Sequence, residues 1–210
     1  ALCVLAAFEG DAEDRWLLAR TKEELDFVTA WLPEDGTSHE GPGYLIFGGS
    51  HLVLACHAAD RLLGTSYLDR PIFENVGSFL LESRTPDGRR HFPFGDAGEG
   101  GPSTGYANFL FRTASQHRRK DVQAAMGACW TDLPPSMDVS AWMALLFFDP
   151  SVSGKADDPP TRSFFEDLGL LYVRDSWSER GVGAMFKCGP FGGRRLNEFR
   201  NPWLAFQPGI

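Results

Sequence analysis

The sequence predicts an α+β protein, and three observations carry that reading. Apolar residues recur at helical spacing through residue 150. A stretch rich in Pro, Ser, Gly and Asp interrupts the pattern over 151–161. Beyond it, over 162–210, apolar residues stand in short β-branched or aromatic runs bounded by turn residues. The helical part, 1–150, contains hairpins of similar length without self-similarity. That suits paired helices stacked in an arc or toroid better than a strict repeat array. Three short strands cannot cover themselves, so the β part either packs on the helices or opens a larger sheet.

Taken in order, residues 1–8 are apolar and break at Glu9-Gly10-Asp11. Residues 12–32 are helical with a joint expected near Thr21, where Thr21-Lys22-Glu23-Glu24 matches a capping box and Leu25, Val28 and Leu32 follow on one face. Residues 44–63 form the most apolar helix, broad enough in its apolar face to be buried on most sides, and Gly64 stops it. Asp69-Arg70-Pro71 starts the next helix, with Ile72, Val76, Phe79 and Leu80 inward, and Thr85-Pro86-Asp87-Gly88 ends it in a turn. Shorter helices are predicted over 104–114, 121–130 and 138–148, the last with Val139, Trp142, Met143 and Leu146 inward. Strands are predicted over 163–165, 168–174 and 182–187.

Composition narrows the function. Hydrophobic residues make up 43% of the chain, enough for a packed core. Aromatics reach 13%, which also suits a groove where rings stack on sugars. A formal charge of −8 argues against general binding to a phosphate backbone, so no nucleic-acid partner is expected. No apolar run is long enough to span a membrane. Cys3, Cys56, Cys129 and Cys188 lie far apart in apolar stretches without zinc spacing, and read as small buried hydrophobes. No metal or other cofactor is expected.

The chemistry-bearing stretch is Asp35-Gly36-Thr37-Ser38-His39-Glu40-Gly41-Pro42-Gly43-Tyr44, between two helices. Gly36, Gly41 and Gly43 allow backbone angles that side chains forbid, and Pro42 fixes one torsion. The loop gathers an imidazole, a carboxyl and a phenol (His39, Glu40 and Tyr44), groups suited to proton transfer. The plain alternative is a helix–helix connection. A second irregular segment, 91–102, offers His91, Asp96 and Glu99 as cleft residues or as a solvated turn. Arg194, Arg195 and Arg200 suit a sugar carboxylate or a solvated strand edge. His51 and His57 do not share a helix face and are core or rim residues, not a metal pair.

Three segments, in order, resemble the heparinase II/III-like polysaccharide lyases. They are Asp35-Gly36…Glu40-Gly41-Pro42-Gly43-Tyr44, then Thr85-Pro86-Asp87-Gly88…Phe92-Pro93-Phe94-Gly95-Asp96, then Leu170-Leu171-Tyr172-Val173-Arg174-Asp175-Ser176-Trp177…Phe186-Lys187-Cys188-Gly189-Pro190-Phe191-Gly192-Gly193. The resemblance implies a partial (α/α) toroid over 1–150, a linker over 151–161, and the first strands of an antiparallel β-sandwich over 162–210. It implies β-elimination on an acidic, uronate-containing polysaccharide or oligosaccharide, in a secreted or periplasmic protein. Tyr44 would be the catalytic tyrosine, with His39, Glu40, His91, Asp96, Arg194 and Arg195 along the substrate. A phenol, with a free pKa of about 10, is a ready acid and needs a nearby cation or imidazole to serve as a base.

The chain also departs from that pattern. The family's Asn/His pair would fall before Ala1, and Arg194-Arg195 stands where the family has a histidine. The resemblance therefore implies a fragment or degraded relative, inactive as these 210 residues alone. Two other readings compete with the lyase. One is a carbohydrate-binding remnant without chemistry. The other is a glycoside hydrolase on the same toroid, with two acids drawn from Glu40, Asp96 and Glu99.

Overall fold

The computed structural model of the protein describes residues 12–95, 106–131, 141–155 and 157–189. Among them, six α-helices precede one three-stranded antiparallel sheet, which makes the chain α+β.

The first helix, α1 (Ala12–Trp31), runs unbroken through Thr21. The expected joint is absent because the Thr21 hydroxyl donates to the Leu17 carbonyl one turn back, at 2.7 Å. Glu24, the would-be box partner, pairs with Arg20. Leu25 is buried but Val28 is exposed. The Tyr67 hydroxyl anchors α1 by donating to Asp26 at 2.6 Å.

The second helix, α2 (Gly41–Leu63), has Pro42 in its first turn and ends at Gly64 in the left-handed region, φ 67°. Ile46, Gly49, Val53, Cys56 and Ala59 face the core. Gly49 lets the Phe109 ring lie against the helix backbone; a Cβ there would sit 2.9 Å from it. The opposite face is not buried as expected. Tyr44, Phe47, Gly48 and His51 follow one another along it in the open.

After α2 the Asp60 carboxylate accepts from Thr65 Oγ1 and from the backbone nitrogens of Tyr67 and Leu68, which turns the chain into a short 3₁₀ segment, Tyr67–Asp69. Pro71 opens α3 (Pro71–Glu82), whose inward row includes Ile72, Val76, Phe79 and Leu80. Gly88, φ 71°, closes the expected turn, with its amide on the Thr85 carbonyl. The chain then returns to bridge Arg84 with His91.

Next come α4 (Leu110–His117), α5 (Lys120–Thr131) and α6 (Ala141–Phe147). In α5, Val122, Ala125 and Met126 are buried, and Gly77 of α3 meets Val122 so closely that a Cβ would clash at 2.6 Å. In α6 the inward face is rotated from the predicted one. Met143, Ala144 and Phe147 are buried, whereas Trp142 and Leu146 are exposed. Val139 lies outside the described residues.

The sheet runs β1 (Arg162–Phe165), β2 (Leu170–Arg174), β3 (Gly183–Lys187), with Phe165 opposite Leu170 and Leu170 opposite Lys187. Phe165, Leu170, Tyr172 and Arg174 point inward, and Phe79 meets Phe165 edge-on at 5.2 Å. The Arg174 guanidinium donates to the carbonyls of Pro160, Glu82 and Arg84 and lies 4.0 Å over the Trp177 ring, tying the sheet to the end of α3. The outer face carries Phe164, Leu171 and Phe186 in one exposed cross-strand row. Cys188, just past β3, is exposed, contrary to the buried role expected for the cysteines. No helix among the described residues is long and apolar enough to cross a membrane.

Candidate functional site

The loop before α2 is fixed at three points, and glycines make two of them possible. Gly36, φ +88°, presses its backbone on α3, where a Cβ would lie 2.5 Å from the Asn75 carbonyl. Gly41, φ +83°, meets the Phe94 carbonyl, where a Cβ would lie 2.4 Å away. Gly95 returns the contact, its own Cβ position lying 2.6 Å from the Glu40 carbonyl. The two irregular segments singled out in the sequence thus meet backbone to backbone. Gly43 needs no special angle and sits inside α2.

The third point joins the loop to the sheet. The Asp35 carboxylate accepts from the Thr37 amide and hydroxyl with Oδ1, and from the Asp167 amide with Oδ2 at 2.9 Å. Asp167, in the turn between β1 and β2, reciprocates by accepting from the Asp35 amide at 3.2 Å. Each aspartate therefore holds the other's backbone, across the boundary between helices and sheet.

Within this frame Tyr44 stands on the first turn of α2 and is 44% exposed. Glu40 is exposed and makes no side-chain cap on the helix. His39 is half-buried. Its imidazole is held below the ordinary histidine value, first by burial and then by the ammonium of Lys187, with Asp167 and Asp35 pulling the other way. Lys187 is the residue that sequence reasoning missed. Its signal was present, because alternation along β3 puts Gly183, Met185 and Lys187 on the inner face.

His91 does not line a cleft. It is fully buried, its Nδ1 2.8 Å from the Ser83 hydroxyl. The bridge to Arg84 folds the segment under the core, and burial, with the Arg84 cation, pushes its pKa down to about 3. It is a neutral core histidine. Asp96, Glu99, Arg194, Arg195 and Arg200 lie outside the described residues. His51 is exposed against the Phe47 ring at 5.1 Å, and His57 accepts from Arg112 while meeting Phe147 edge-on.

An acidic cavity of about 290 Å³ lies beside the paired aspartates, lined by Glu34, Asp35, Asn75, Glu166 and Asp167. A shallow concavity of about 730 Å³ covers Arg162, Leu171, Val173 and Ala184 on the sheet. Neither is lined by Tyr44, His39 or Lys187. No group of three or more His, Cys, Asp or Glu residues among those described is arranged to hold a metal ion. A half-buried imidazole held below its ordinary pKa, a partly buried ammonium and an exposed phenol are the chemical assets of the region. Compared with known proteins, the chain matches no family model and no curated protein.

Proposed function

We propose that these residues form part of the substrate cleft of a polysaccharide lyase that cleaves uronate-containing chains by β-elimination, on a partial (α/α) toroid that leads into a β-sandwich. The supporting observation is the exposure of Tyr44 on the first turn of α2, next to a loop that glycines and two aspartates hold in place. A tyrosine serving only the core would be covered.

In the reaction a base removes the proton α to the sugar carboxylate, the electron pair forms the new C=C bond, and the glycosidic C–O bond breaks. An acid protonates the departing oxygen. Tyr44 is the acid. His39, whose pKa burial and the Lys187 ammonium hold below the ordinary histidine value, is the acceptor for the α proton. The substrate class is an acidic polysaccharide or oligosaccharide, which accords with a secreted or periplasmic setting.

The test is ultraviolet absorbance of the unsaturated product, measured on the longest native chain containing these residues with a panel of uronate polymers. Tyr44→Phe removes only a hydroxyl and should lower the rate at least about a hundredfold, the scale of general acid catalysis. Full activity in that variant would remove Tyr44 from the mechanism. One observation favours a second reading, a non-catalytic carbohydrate-binding module. Phe47, 66% exposed one turn beyond Tyr44, offers a face for sugar stacking whether or not chemistry follows. That reading predicts binding with no unsaturated product.

A further inference from the structure

His57 stands where α2, α4 and α6 meet. Its Nδ1 accepts from Nε of Arg112 on α4 at 3.0 Å, and its ring meets the Phe147 ring of α6 edge-on, with centroids 5.0 Å apart. A guanidinium only donates, and it keeps its proton throughout the ordinary pH range. Nδ1 must therefore offer a lone pair, which makes His57 neutral with its proton on Nε2. Arg112 is braced from behind. Its Nη2 donates to Gln116 at 2.8 Å, and Gln116 donates in turn to Asp69 at 2.6 Å. Among the described residues, the charges acting on His57 are Arg112 from α4 and Arg61 and Asp60 from α2 itself. The Asp60 carboxylate is engaged by Thr65 and by the amides of Tyr67 and Leu68. The residues of α6 include no ionisable side chain. Burial, then the Arg112 and Arg61 cations, hold the imidazole below the ordinary histidine value, with Asp60 opposing.

The contact matters to α6. Seven residues are too few for a helix to persist by itself, and the buried ones are Met143, Ala144 and Phe147. We propose that His57 is a proton-operated latch: its neutral imidazole holds α6 through Phe147, and its protonation turns the ring away from Arg112 and frees Phe147. An imidazolium has no lone pair for Arg112 and would face a like charge at hydrogen-bond distance. Gln116 and Asp69 keep Arg112 in place, so the imidazolium is the group that turns. Phe147 then loses the ring it rests on. Because the native pKa is depressed, the latch is fully closed above the unfolded histidine value near 6.5 and opens as pH falls through the lower native one. The device operates whether or not the chain is a lyase.

The experiment is NMR and hydrogen exchange on the 210-residue chain, with His57→Gln and Arg112→Met as variants. At about pH 7.5, ring ¹⁵N shifts should place the His57 proton on Nε2, and its titration midpoint should fall below about 6.5. In Arg112→Met the midpoint should rise, since the nearest cation is gone. In His57→Gln the side-chain oxygen still accepts from Arg112 but does not titrate. Exchange at the amides of Leu145 to Phe148, corrected for the intrinsic rate, is compared between about pH 7.5 and 5; opening grows by up to about tenfold per pH unit between the unfolded and native values. Wild type should lose at least about threefold more protection there than His57→Gln. His91 is intact in that variant, so acid effects of the core histidine remain in it and the latch is the difference between the two chains. Equal loss in both chains overturns the proposal, as does a proton on Nδ1, a wild-type midpoint at or above about 6.5, or an unchanged midpoint in Arg112→Met. The tautomer and the midpoint are read on the wild-type chain, so a variant that fails to fold leaves the proposal open to refutation.

Discussion

Replacing Asp35 by alanine should destabilise the protein by about 2–3 kcal/mol. The carboxylate accepts three hydrogen bonds, from the Thr37 amide at 3.1 Å, the Thr37 hydroxyl at 2.6 Å and the Asp167 amide at 2.9 Å. At about 1 kcal/mol each in a half-buried setting, their loss gives that figure. For a domain of this size it corresponds to a drop in Tm of roughly 5–10 °C. Asp35→Asn separates the contributions. Its amide oxygen can still serve Thr37, but its amide nitrogen turns a donor toward the Asp167 donor, so the cross-link alone is lost. That variant should lose about 1 kcal/mol. Urea denaturation followed by circular dichroism measures both. If Asp35→Ala melts with wild type, or if Asp35→Asn is as damaged as Asp35→Ala, the idea that this side chain both shapes the loop and fastens it to the sheet is wrong.

Three further outcomes follow from the same geometry. Gly41→Ala should cost at least about 2 kcal/mol by forcing a side chain into a left-handed angle against the Phe94 carbonyl, whereas Gly48→Ala, whose Cβ position meets nothing within 4 Å, should stabilise by about 0.5–1 kcal/mol; denaturant midpoints compare the pair. His91, whose pKa falls to about 3 when folded, favours the native state fully above the unfolded value near 6.5; that contribution fades as pH drops from about 6.5 to 3, by several kcal/mol. Its C2 proton should accordingly show no NMR titration between about pH 7 and 4, and a midpoint near 6 would refute its burial. Arg174→Met should cost about 3–5 kcal/mol by stranding the carbonyls of Pro160, Glu82 and Arg84, with a red shift of Trp177 fluorescence as the guanidinium cover is lost.

Where the chemistry is local, the sequence was readable. Gly64 stops α2 because only a left-handed residue fits there, Pro71 opens α3 because its missing amide is not needed, and Gly88 turns the chain back. The same approach failed at Thr21, where a capping pattern and an ordinary backward hydroxyl bond use identical residues. It also failed for α6, a seven-residue helix too short for periodicity to fix which side faces in. The site was legible in part. The glycines marked the loop, but nothing in the local sequence says that Gly41 and Gly95 need their bare backbones because the two loops press on each other. His91 sits among turn residues and looked solvated; only the pairing of Arg84 with His91 sends it inward. Lys187 escaped notice because its influence on His39 is set by how the sheet packs on the loop, which is a property of the folded neighbourhood and not of the strand.

The reciprocal aspartates have a dynamic corollary. Two amides separated by 132 positions in the chain each depend on the other's side chain. Breathing of the segment before α2 and fraying of the sheet are thereby made one event, and hydrogen exchange at both amides should proceed on a common timescale. The segment before α2 is therefore clamped at both ends, whereas Tyr44 and Phe47 stand exposed on the open flank of α2.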